Sequence, residues 1–69
     1  MSIAKRFAED VETFLTERDM RPASFGRAAV GDPLFVFELR DGRNVQAATM
    51  DKIYDYMEAV RKEPAASAA

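Results

Sequence analysis

The chain contains no cysteine and no histidine. The first absence excludes disulfide staples, and the two together exclude the usual structural zinc sites. The second also removes the commonest general base of enzyme chemistry. No apolar run approaches the roughly 20 residues that a membrane-spanning helix needs. The opening stretch, MSIAKRFAED, is charged and periodic, unlike a secretory signal. These absences predict a cytoplasmic protein with no metal, no cofactor and no membrane partner. Hydrophobic residues make up 48% of the 69, enough for one small folded domain whose stability rests on buried apolar area.

Glycine and proline are scarce, with three of each, and their placement is orderly. All three glycines and two of the prolines fall within residues 22–42, PASFGRAAVGDPLFVFELRDG. Proline is tolerated at the first position of a helix, and glycine accepts the left-handed backbone that follows a helix end. The stretch therefore predicts a short helix from Pro22 to Val30 and a tight turn at Gly31. Asp32 is the expected N-cap of a second short helix, opening at Pro33 and stopping at Gly42. Two helices joined so tightly cross at a large angle, as in a helix-turn-helix unit. Gly26 lies inside the first of them, on the side of Phe25 and Val30. Glycine there costs roughly 1 kcal/mol relative to alanine, so close approach of the following helix is the expected reason.

Longer helices flank this unit. Ile3, Phe7, Val11, Phe14 and Leu15 recur at spacings of three and four, predicting a helix from Ile3 to Arg18 with Ser2 as its cap. Met20 is the expected anchor of the connection that follows. Residues 43–48 read as a loop. Thr49 reads as the cap of a last helix with Met50, Ile53, Tyr54, Met57 and Val60 as its apolar stripe. Glu58 and Lys62 are spaced to pair along it. Tyr56 lies off that stripe and is a candidate for a dimer interface. In the helix opening at Pro33, Val36 and Leu39 form the expected inward pair, flanked by Phe35 and Arg40. Pro33, Leu34, Phe37, Glu38 and Asp41 are expected to face outward. Residues 1–63 thus form one all-α, four-helix domain, and residues 64–69 a disordered tail of small side chains.

The net charge is −2, an unpromising total for binding nucleic acid. Its distribution is uneven. Residues 1–20 carry three basic and five acidic side chains, residues 21–43 carry four and three, and residues 44–69 carry three and four. The central stretch is thus the one basic segment, and its four cations are all arginine, the type best suited to bidentate phosphate and guanine contacts.

The run FGRAAVGDPLFVFELRDGR resembles the helix-turn-helix of the lambda-repressor-like, or XRE-type, transcriptional regulators. Phe25 matches the aliphatic position opening their second helix, and Gly26 the small residue that allows close packing. Val36 and Leu39 match the buried pair of the recognition helix, and Gly42 with Arg43 the pair that closes it. A short bacterial form with the pattern GR-x-A-x-x-D-P-x-F-V is matched at Gly26, Arg27, Ala29, Asp32, Pro33, Phe35 and Val36. The resemblance covers about residues 3–62. It implies a four-helix lambda-repressor-like fold and a sequence-specific regulator that binds double-stranded DNA, as a homodimer on paired half-sites.

Carried onto this chain, Arg21, Ser24, Arg27 and Arg43 would contact phosphates, with the amides opening the second helix. Pro33, Leu34, Phe37, Glu38 and Asn44 would lie toward the bases. The family usually has Gln, Ser, Thr, Asn or Arg at the recognition positions. Here apolar side chains can meet thymine methyls and Glu38 can accept from cytosine N4, but bidentate base pairing is absent. A second reading follows: a protein-interaction module on the same scaffold, with Leu34 and Phe37 as its apolar patch. An enzyme is the least supported reading, since no nucleophile motif or convergent carboxylate pair is visible.

Overall fold

The computed structural model describes residues 2–63; the tail expected at 64–69 lies outside them. The described residues form four α-helices and no strand: α1 (Ile3–Arg18), α2 (Pro22–Val30), α3 (Phe35–Arg40) and α4 (Ala47–Lys62). None is long and apolar enough to cross a membrane.

Each boundary has a local cause. Ser2 caps α1, its hydroxyl oxygen accepting the Lys5 N–H at 3.1 Å. Asp19 closes α1 from the left-handed region at φ 51°, a conformation that aspartate tolerates better than most side chains. Its N–H donates to the Thr16 carbonyl, and the Met20 N–H donates to the Leu15 carbonyl at 2.9 Å. This is the paired bonding of a Schellman turn, made without glycine. Pro22 opens α2, and Gly31, at φ 72°, ends it. Gly42, at φ 94°, closes α3 with the same paired bonds that Asp19 makes.

Two helix starts differ from the sequence expectation. The α-helix of α3 opens at Phe35, not Pro33. Leu34, not Asp32, stands at its N-cap. Asp32 instead holds the turn before it, its side chain accepting the Leu34 N–H at 3.0 Å and its carbonyl the Phe35 N–H at 3.1 Å. The Phe35 bond reaches back three residues rather than four, a 3₁₀-type turn, so the α-type ladder begins only with Glu38 N–H on the Leu34 carbonyl at 3.0 Å. In the other case α4 begins at Ala47, with Gln46 at the N-cap and no side-chain cap bond. Thr49 is already inside the first turn, its N–H on the Gln46 carbonyl. Ala47 and Ala48 are strong helix formers and extend the helix past the residue whose side chain looked like a cap.

The core joins all four helices. Phe7, Val11, Phe14 and Leu15 come from α1, Phe25 and Ala29 from α2, Phe35, Val36 and Leu39 from α3, and Ile53 and Met57 from α4. Met20 packs against it from the connection, as expected. Tyr54 donates to Asp10 at 2.6 Å, Arg61 pairs with Glu17 at 2.7 Å, and Arg18 donates to the Val60 carbonyl at 2.9 Å. Offsets of 44, 44 and 42 positions mean that α1 and α4 run side by side in the same direction. The expected Glu58–Lys62 pair forms at 2.9 Å on the outer face of α4.

Four side chains depart from the expected pattern, among them Tyr54, placed on the α4 stripe but 38% exposed. Ile3 is 78% exposed although it continues the α1 stripe. Extending the offset of 44 between α1 and α4 sets it opposite Ala47, whose side chain is too short to cover it. Phe35, expected at the flank, is fully buried. Tyr56, a dimer-interface candidate from sequence, packs edge-on against Phe14 and Phe25 with centroids 6.2 and 5.6 Å away. It completes an aromatic cluster inside one chain, with Phe14 and Phe25 themselves 5.6 Å apart.

Gly26 has the packing reason its position implied, with one refinement. A Cβ built there would lie 2.2 Å from the Asp32 carbonyl oxygen and 3.3 Å from Phe35 Cβ. The close neighbour is thus the backbone of the turn as well as α3. Were the site open, Gly26→Ala would stabilise α2 by roughly 1 kcal/mol through helix propensity. The obstacle is backbone and cannot rotate away, so the expected outcome is a net loss of about 1–3 kcal/mol. Urea unfolding of the variant, with its midpoint below the parent's, checks the sign.

Candidate functional site

The turn between α2 and α3 is built by a short succession of backbone bonds. Gly31 N–H donates to the Arg27 carbonyl at 3.0 Å, and Asp32 N–H to the Gly26 carbonyl at 3.1 Å. With Gly26 admitting the Asp32 carbonyl, the two helices are locked in register. Burial on α3 then divides by face. Phe35, Val36 and Leu39 are buried, while Leu34 is 58% and Phe37 47% exposed. Glu38, Arg40 and Asp41 are exposed beside them, and Pro33 is half-buried in the turn.

On α2, Arg21, Ser24 and Arg27 recur every third residue and are all exposed, as is Ala28. Their spacing sets them along one solvent-facing strip. Arg21 stands at the N-cap without a side-chain cap bond. Arg21 and Arg27 form no ion pair among the described residues. Asn44 is exposed in the loop after α3.

The other two arginines of the central segment are engaged within the chain. Arg43 is brought together with Glu38, at 2.5 Å, and with Asp32, at 3.6 Å, while its guanidinium covers the Phe35 ring at 5.4 Å. Two of the residues expected at the interface, Glu38 and Arg43, are therefore each other's partners. Arg43 and Lys52 also line a shallow cleft with Asp32, Phe35, Thr49 and Val30, between the turn and α4. Among the described residues, no group of three or more acidic side chains converges as a metal site.

Arg40 is the residue that sequence reasoning missed. Its guanidinium reaches Glu12 of α1 through two bonds, Nε to Oε2 at 2.6 Å and Nη2 to Oε1 at 2.9 Å, and lies 5.9 Å from the Phe37 ring centroid. This fork ties the exposed side of α3 to α1 and leaves Arg40 less able to serve an outside anion. No local signal marks the pair, since 28 residues separate its members.

The fork also perturbs both groups. Its hydrogen bonds hold the Glu12 carboxyl below the ordinary glutamate range, against a smaller upward push from burial, and they raise Arg40 above its ordinary value. At Tyr54, burial first and the Asp10 hydrogen bond second push the hydroxyl up to about 12.

A lowered folded-state pKa gives Glu12 a stabilising role above the unfolded glutamate range near about 4.3. That contribution is lost as pH falls through the lower folded value. Both side chains remain well exposed, so solvent screening limits the pair to about 1 kcal/mol or less. Glu12→Gln should therefore lower the urea midpoint slightly at neutral pH, and the gap to the parent should close under acid conditions. A gap of constant size would assign Glu12 a packing role instead.

No protein-family model, curated protein or solved structure matches the chain.

Proposed function

We propose that the chain is a sequence-specific regulator of the lambda-repressor-like kind, acting in the cytoplasm and binding double-stranded DNA through α2 and α3. The observation that carries this reading is the division of α3 beyond a rigid turn. One face is buried to the last side chain, while Leu34, Phe37 and Glu38 project into solvent on the other. A helix held firmly at its back and left uncovered in front is what insertion into a major groove requires. Arg21, Ser24 and Arg27 supply phosphate donors along α2, and the first amides of that helix have no side-chain cap competing for them. Arg43 and Asn44 extend the contact surface past α3. One module of this size makes few contacts, so two copies on paired half-sites suit the reading.

A salt titration of binding to random duplex DNA tests it. With Arg21 and Arg27 each neutralising one phosphate and Arg43 paired with Glu38, the log–log slope should be roughly −2 per domain. A slope near zero, or no binding at low salt, sinks the reading.

One observation favours a second reading, a protein-interaction module. Leu34 and Phe37 are exposed apolar neighbours three residues apart, and covering what remains of them would gain roughly 1–1.5 kcal/mol each. Thymine methyls and sugar faces cover such groups in part, whereas a protein groove covers them fully. The double variant Leu34→Ser, Phe37→Ser should keep its fold, because neither side chain belongs to the core. On the DNA reading it retains binding to random duplex and loses preference for a selected site, chiefly at A·T pairs. Unchanged DNA behaviour with loss of a dimer or other complex, seen by sedimentation, would decide for the interaction module.

A further inference from the structure

Arg43 is held by the geometry that ends α3. Gly42 turns the chain, and the Arg43 N–H returns to the Glu38 carbonyl at 3.0 Å. Its side chain then closes on the Glu38 carboxylate at 2.5 Å, with Asp32 at 3.6 Å and the Phe35 ring beneath. Backbone and side chain of Arg43 thus converge on one residue. Glu38 and Arg43 are both exposed, so an outside ligand can reach the pair.

A guanidinium already matched by a carboxylate has little charge to offer a phosphate. Only Nη1 of the guanidinium meets Glu38, and a phosphate drawn to the remaining donors is repelled by the adjacent carboxylate, so full engagement of Arg43 draws it off Glu38. That leaves an acceptor-only carboxylate on the outer side of α3, and burying that group without a donor is costly. In the major groove, the exocyclic amino groups of cytosine and adenine are donors. Guanine O6 and N7 and thymine O4 are acceptors that repel a carboxylate.

We propose that Glu38 and Arg43 form an exchange pair that sets DNA selectivity. Arg43 passes from Glu38 to a backbone phosphate only where the groove offers Glu38 a donor in return. This rests on the DNA-binding reading above. Every base pair carries one such amino group, so selectivity lies in which strand presents it. Where the base opposite Glu38 is guanine or thymine, the pair stays closed and the domain forgoes one phosphate contact. Glu38 therefore acts twice, restraining binding to unsuited DNA and reading an amino group on suited DNA. The exchange also explains how a chain of net charge −2 discriminates with so few base-reading side chains.

Two neutralising variants at the same end of α3 separate the exchange from a change in overall charge. Glu38→Gln removes the nearer carboxylate of Arg43 and leaves the weaker Asp32 contact in place. Asp41→Asn removes an equal charge from a residue that forms no ion pair among the described residues. Fluorescence anisotropy on random duplex DNA at several salt concentrations reads the effect. Glu38→Gln should bind about five- to tenfold tighter near 0.1 M salt, with a slope steeper by about one unit. Its preference for a selected site over random DNA should fall. Asp41→Asn should gain little, and adding Glu38→Gln to an Arg43→Ala background should gain nothing. The exchange pair is overturned if Glu38→Gln leaves random-duplex affinity unchanged, if Asp41→Asn matches it, or if the gain survives without Arg43. A parent chain with no salt-dependent DNA binding overturns the DNA reading and the exchange pair together. A parent that binds normally, with Glu38→Gln unchanged, overturns the pair alone.

Discussion

The contact between Gly26 and the Asp32 carbonyl is the constraint on which the arrangement of this small domain depends. A Cβ there would be 2.2 Å from the carbonyl oxygen, well inside any allowed approach. Because Gly26 has none, the backbone of the turn lies directly on α2. Asp32 can then use its carbonyl for Phe35 and its side chain for Leu34. Those bonds start α3 in the one orientation that buries Phe35, Val36 and Leu39 together. A helix of only six residues has little stability of its own. It persists because its start is fixed by the turn, its end by Gly42, and its back by the core.

Electrostatics do a different job from the one that composition alone implied. The central segment is the only basic part of the chain, yet half of its arginines are matched internally. Arg40 braces α3 against α1, and Arg43 closes the end of α3 on Glu38. Within that segment, Arg21 and Arg27 on α2 are the arginines without an ion pair among the described residues. Exposed pairs of this kind add little stability each. Their larger effect is on which cations stay available, because a paired arginine must give up one partner before it takes another.

The sequence exposed the helix order, the turn and most of the core, because these depend on local signals. Pro22, Gly31 and Gly42 act within a residue or two of where they stand, and the spacing of Phe7, Val11, Phe14 and Leu15 is itself a helical period. Gly26 was legible because glycine inside a helix needs a reason. The misreadings share a different cause. Thr49 looked like a cap by residue type, but Ala47 and Ala48 carried the helix past it. Ile3 kept the period yet had no neighbour opposite, and Tyr56 broke the period yet found Phe14 and Phe25 across the core. Partners such as Arg40 with Glu12 are set by which helices end up adjacent. Periodicity within one helix carries no such information. At the candidate site, the exposure of Arg21, Ser24, Arg27, Leu34 and Phe37 followed from helix register, whereas the capture of Arg43 by Glu38 required the geometry of the turn after α3.

The parallel alignment of α1 with α4 has a consequence for how the chain reaches this structure. Neighbouring helices joined by a short loop run antiparallel, and their contacts close early. Here Asp10 meets Tyr54 and Glu17 meets Arg61 across 44 positions, so the whole α2–α3 unit is the loop that must close. Loop closure becomes costlier with length, though by only about 0.6 kcal/mol per doubling, and it must be met before the distant contacts contribute. The hairpin of α2 and α3 is local and can assemble without it. Docking of α4 beside α1 thus rests on contacts between residues far apart in sequence, whereas the exposed α3 face belongs to a unit built from contacts near in sequence.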